Sequence, residues 1–157
     1  MRIFFLAAIP LLTAFIGWLM SIKYSESQSF WEKFSFKHEK IKAEIAFSQN
    51  SLSEILNGGE KGDGKKDVFS EMAENYLTNS KKIIKPIFLS EDEIRFVEKY
   101  LQNLGTTDKD SQLNLLKSME AEIQKYSMQA ETKCKKYRPL FIKLGFLAGL
   151  VIFILIV

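Results

Sequence analysis

The sequence predicts an all-α protein, a helical bundle domain between an N-terminal and a C-terminal transmembrane helix. Three observations carry that prediction. Two apolar stretches almost free of charge lie toward the two ends, Ile3 to Ile22 and Leu144 to Val157. Between them apolar residues recur at spacings of three and four, the period of a helix. No run of alternating apolar and polar residues competes as a strand. The expected division is residues 1–22 as a transmembrane helix, 23–138 as a helical bundle and 139–157 as a second transmembrane helix.

The first stretch holds twenty residues without an ionisable side chain, which at ~1.5 Å per residue matches a hydrocarbon core of ~30 Å. Pro10 and Gly17 are compatible with a span, because no water competes for the backbone there. A cleaved signal peptide is the rival reading, since Met1-Arg2 resembles a charged n-region. The apolar run is too long for one, and Gly17-Trp18-Leu19-Met20-Ser21 offers no small-x-small cleavage site. The second stretch has fourteen uncharged residues and reaches nineteen from Pro139, provided Lys143 snorkels to the headgroups.

Charge sets the expected orientation. Residues 23–138 carry twenty of the twenty-two basic and all nineteen acidic side chains. Lys133, Lys135, Lys136 and Arg138 crowd the flank of the second span, and Lys23, Lys33 and Lys37 oppose Arg2 on the first. By the positive-inside rule the middle segment is expected in the cytoplasm, with both termini outside. The same basic flank suits attraction to anionic lipid headgroups, and topology determination alone is the simpler role. The interleaved charges of the middle segment, +1 net with His38 neutral, give nucleic-acid binding no electrostatic footing. Cys134 is the one cysteine, so an internal disulfide is excluded, in keeping with a reducing compartment.

The elements follow in order. Phe30, Phe34, His38, Ile41 and Ile45 share one face of an amphipathic helix leaving the membrane. Ser51-Leu52-Ser53-Glu54 is a capping box that starts a short helix through Leu56. Asn57 to Lys66, with four glycines and no apolar residue, reads as a solvated loop. Asp67 caps a helix whose apolar face is Phe69, Met72, Tyr76, Ile83 and Ile87, broken near Lys85-Pro86. Ser90 to Glu93 is a second capping box, followed by Ile94, Val97, Leu101 and Leu104, and Gly105 supplies a left-handed C-cap. Thr107 or Asp108 opens the last helix, with a heptad-like seam of Leu116, Met119, Ile123, Tyr126, Ala130 and Tyr137.

Chemical motifs are incomplete. Gly59 to Lys66 fits the phosphate loop G-x-x-x-x-G-K-[ST] up to its last position, where Lys66 replaces the magnesium-binding hydroxyl and no strand precedes. Asp108 to Gln112 has a faint calcium-loop look, but Leu113 stands where the turn glycine belongs and Met119 where the bidentate acid belongs. His38 sits on an apolar stripe without a second ligand at helical spacing and reads as a packed imidazole; Cys134 reads as a bystander. No nucleophile and base can be paired. The expectation is therefore no catalytic, cofactor-binding or metal residues, and no enzyme.

The carboxy-terminal third carries a recognisable pattern. It runs Leu104-Gly105, Thr107-Asp108, Gln112, a long charged helix, Lys135-Lys136-Tyr137-Arg138, then Leu144-Gly145-Phe146-Leu147-Ala148-Gly149-Leu150. With the amino-terminal anchor and the length, the chain resembles the stage III sporulation protein AB family of endospore-forming bacteria. The resemblance implies a component of the mother-cell membrane complex that connects mother cell and forespore, with a soluble domain similar to the cytoplasmic domains of type II secretion platform proteins. It also implies other stage III sporulation complex proteins as partners, among them a secretion-type ATPase, stage III sporulation protein AA. On this reading the chain is a membrane-anchored, non-enzymatic adaptor, and Gly105, Asp108 and Gln112 are turn or partner candidates. The alternatives are a coiled-coil tether that forms homo-oligomers through Leu116 to Ala130 without an ATPase, and a membrane-bound enzyme.

Overall fold

The structure is a computed structural model, and it describes residues 2–47, 67–78 and 83–156, without the side chains of 2–10 and 156. The Ser51 to Glu54 capping box and the Gly58 to Lys66 loop lie outside the described residues. Among those described there are four helices and no strand: α1 (Arg2–Phe47), α2 (Val68–Thr78), α3 (Glu91–Asn103) and α4 (Lys109–Ile156). Their contacts divide the chain into two units, one of Met1–Ser29 with Met128–Val157, the other Phe30–Ser127.

The Phe30–Ser127 unit is built on an aromatic core. Phe30, Phe34, His38 and Ile41 are all buried on one stripe of α1, and Trp31 beside them is fully covered. Trp31 stacks on Tyr126 of α4 with centroids 4.8 Å apart, while Phe34 meets Phe69 of α2 and Tyr100 of α3 edge-on at 4.7 and 5.0 Å. Offset and edge-on geometries of this kind add ~0.5–1.5 kcal/mol per pair beyond the area they bury. Phe69, Met72, Ala73 and Tyr76 bring α2 to the same core, and Leu116, Met119 and Ile123 bring α4.

Local chemistry sets the helix ends. α3 starts at a complete capping box: the Ser90 backbone N–H donates to Glu93 Oε2 at 2.7 Å, and the Glu93 N–H donates to Ser90 Oγ at 3.4 Å. Its end is a tight turn in which Gly105 has φ 73°, a region where an L side chain is strained. Asp67 precedes α2 and accepts the Glu71 N–H at 3.0 Å with its backbone carbonyl. Its buried carboxylate lies 3.1 Å from Lys37 Nζ instead.

Beyond α2 the structure corrects the sequence reading. The helix is described over Val68–Thr78, residues 83–86 are irregular, and Ile87 is 98% exposed, not on an apolar face. Pro86 disfavours helical geometry at Lys85 before it and offers no N–H of its own. Leu89 closes the segment, buried, with its N–H on the Pro86 carbonyl at 3.2 Å.

The other unit is a helix pair from α1 and α4. Gly17 and Gly145 face each other across it: a Cβ on Gly145 would stand 2.6 Å from the Thr13 carbonyl oxygen and 3.2 Å from Gly17 Cα, and one on Gly17 would collide with the Phe141 carbonyl. Only glycine at both positions permits this approach. Tyr24 stacks on Tyr137 and Phe141 at 5.3 and 5.7 Å, and Ala130 and Cys134 are buried. Outward of this seam the surface is apolar, with Leu11, Leu12, Phe15, Ile16, Leu19 and Met20 exposed on α1 and Leu144, Leu147, Val151, Ile154 and Leu155 on α4. Pro139 lies inside α4, which continues to Ile156. By length and composition α4 is the one helix among the described residues able to cross a membrane, and almost none of its most apolar window is buried. Part of the amino-terminal span expected over 1–22 has side chains outside the description.

Candidate functional site

Three places concentrate polar chemistry. The first is the α3–α4 turn. Asp108 caps α4: its Oδ2 accepts the Ser111 N–H at 3.2 Å, and its carbonyl accepts the Gln112 N–H at 2.8 Å. Hydrogen bonding from Ser111, its side chain foremost and its backbone N–H next, holds the Asp108 carboxyl below the usual carboxylate range. Gln112 is buried. Its Nε2 donates to the Asn103 carbonyl at 3.1 Å, and its Oε1 accepts the Thr107 hydroxyl at 3.2 Å. That carbonyl lies in the last turn of α3, where intrahelical donors run out. Gly105, Asp108 and Gln112 are thus brought together in one turn, Gln112 buried beneath it and residues 105–111 exposed around it.

The second place is a polar seam inside the Phe30–Ser127 unit. His38 is buried, and its Nδ1 is 3.1 Å from the Tyr100 hydroxyl. Burial pushes the imidazole below its ordinary pKa and pushes the Tyr100 phenol up. Nε2 is buried with no hydrogen-bond partner. Next to it Lys42 Nζ lies 2.9 Å from a Glu39 oxygen and 3.0 Å from a Glu120 oxygen, so one ammonium joins α1 to α4. The hydrogen bond from Lys42 holds the Glu120 carboxyl down, and those to Glu39 and Glu120 raise Lys42. On the other side Lys37 pairs with Asp67 and donates to Ser70 Oγ at 2.5 Å. Trp31 Nε1 donates to Glu93 Oε1 at 2.9 Å.

The third place is the basic flank. Lys133, Lys135, Lys136 and Arg138 are all exposed on α4. Lys135 pairs with Glu131 at 2.5 Å, Lys136 lies over the Tyr137 ring at 5.5 Å, and Arg138 lines a cleft with Trp18, Ser21, Ser25 and Glu26.

Sequence reasoning missed the Lys42 bridge, the His38–Tyr100 contact and the second bond of Glu93. The signal for Lys42 was present as Glu39 three residues before it, a helical ion-pair spacing. Nothing local points to Glu120.

Comparison with protein families matches residues 2–157 to the family described as stage III sporulation protein AB. No curated protein and no solved structure matches.

Proposed function

The chain belongs to the stage III sporulation protein AB family, which gives it a role in sporulation, and from that premise we propose that it is a two-pass, membrane-anchored adaptor without enzymatic activity. On this reading the α1–α4 pair of the Met1–Ser29 and Met128–Val157 unit is a hairpin of two spans. The Phe30–Ser127 unit is the cytoplasmic domain that engages other stage III sporulation proteins, including a secretion-type ATPase. The observation that carries the proposal is the helix pair itself. Its glycines pack backbone against backbone while its large apolar side chains point outward, as helices do where lipid is the solvent. Lys133 to Arg138 follow as the cytoplasmic flank.

The coiled-coil tether loses support. Its seam residues Leu116, Met119, Ile123 and Ala130 are each at most 6% exposed, so they are already used within the chain.

Affinity purification of the tagged full chain from detergent-solubilised membranes of sporulating cells tests the adaptor reading. The expected result is retention of a secretion-type ATPase, undiminished by Cys134→Ser. Recovery of the chain without any ATPase, from cells that contain it, would contradict the proposal.

A further inference from the structure

We propose that His38, Glu39 and Glu120 form a binding site for a divalent transition-metal ion of the Zn2+ type, which takes the place of the Lys42 ammonium and links α1 to α4. The ligand atoms of these three residues all lie within 4.8 Å of one another. A tetrahedral first-row ion with ligand bonds of ~2.0–2.2 Å needs donors ~3.3–3.6 Å apart, so the exposed ends of the Glu39 and Glu120 side chains close in by about 1 Å as the ion binds. Two helices, joined otherwise by the core beneath, supply the set.

Two independent observations point to a cation. His38 is 2% exposed, and its Nε2 is buried without a partner, an arrangement that ordinarily costs a buried nitrogen its solvation with no return. Its other nitrogen, Nδ1, is occupied by the Tyr100 hydroxyl at 3.1 Å. The tautomer in which Nδ1–H donates to that oxygen leaves the Nε2 lone pair free, and such an outer hydrogen bond is what orients metal-ligating histidines. The second observation is that a cation already occupies the gap. Lys42 Nζ sits 2.9 Å from Glu39 and 3.0 Å from Glu120. Lys42 is a long, partly exposed side chain, so its ammonium can swing into water as the ion enters. Glu39 and Glu120 are 54% and 36% exposed, which leaves access and room for water to complete the coordination.

The donor set selects the ion. One imidazole and two carboxylates suit Zn2+ and its neighbours, whereas Mg2+ and Ca2+ take oxygen donors and gain nothing from His38.

Full-length chain in detergent, stripped with chelator, is titrated with Zn2+ or Mg2+ while its thermal midpoint is followed, and with Co2+ while visible absorption is recorded. One Zn2+ per chain is expected to raise the midpoint, Mg2+ to leave it unchanged, and Co2+ to give bands of a site with nitrogen coordination. Glu120→Gln, at a partly exposed position outside the aromatic core, is expected to weaken Zn2+ binding by at least ~10- to 100-fold, the loss that even outer-shell changes produce. Lys42→Met removes the competitor and is expected to tighten binding. No midpoint shift with Zn2+, a shift kept in Glu120→Gln, or weaker binding in Lys42→Met would each overturn the site. Zn2+ held by Cys134 instead would appear as the second of these outcomes.

Discussion

The Glu93 carboxylate serves two elements at once. Oε2 completes the capping box with Ser90, and Oε1 accepts the Trp31 indole N–H, so the start of α3 is tied to α1. The residue is buried, 5% exposed, and an orphaned oxygen there would lose solvation without replacement. Trp31→Phe keeps an aromatic ring but removes the donor. It is expected to cost ~1–3 kcal/mol, read as a lowered denaturation midpoint of the full chain in detergent. Ser90→Ala touches only the cap and is expected to cost ~0.5–2 kcal/mol. Equal stability of Trp31→Phe and the parent chain would remove the indole bond from the account. A different residue, Asp108, gives a pH dependence. Its folded pKa is depressed, mainly by hydrogen bonding to Ser111, so its contribution is present above the ordinary value of ~3.9 and is lost as pH falls through the folded value. The stability gap between the parent chain and Asp108→Asn is therefore expected at neutral pH and is expected to close in acid; a gap that persists below the folded value would refute the cap.

At the scale of elements, what the sequence disclosed was what depends on near neighbours. The Ser90–Glu93 box is legible because cap and partner sit three residues apart, and the Phe30, Phe34, His38, Ile41 stripe because helical periodicity is local. Trp31, fully buried next to that stripe, was not legible. Its burial depends on Tyr126, ninety-five positions along the chain. The break near Lys85-Pro86 was legible from the proline, but Ile87, assigned to the apolar face by its spacing, lies in solvent. The Lys42 bridge was half legible, from Glu39, and half dependent on the packing of α4 against α1. The α3–α4 turn offers a direct test of element geometry. Gly105 has φ 73°, and Gly105→Val is expected to destabilise the chain by ~1–2 kcal/mol. A melt unchanged by that substitution would mean the turn relaxes to another conformation without cost.

At the scale of the whole molecule, two chemistries divide the chain. One unit buries a cluster of aromatic residues, Phe30, Trp31, Phe34, Phe69, Phe96 and Tyr100, in a shared core; the other leaves large apolar side chains uncovered on both helices. The second pattern is stable in lipid and a liability in water. Family membership places the chain in sporulation, and the proposed adaptor role requires the Phe30–Ser127 unit to face the cytoplasm, the orientation expected from Lys133 to Arg138 by the positive-inside rule. Proteolysis of intact protoplasts carrying the full chain tests this most directly. With protease outside, the account predicts that the Phe30–Ser127 unit stays uncut until the membrane is permeabilised; its digestion in intact protoplasts would contradict the topology and the adaptor role together.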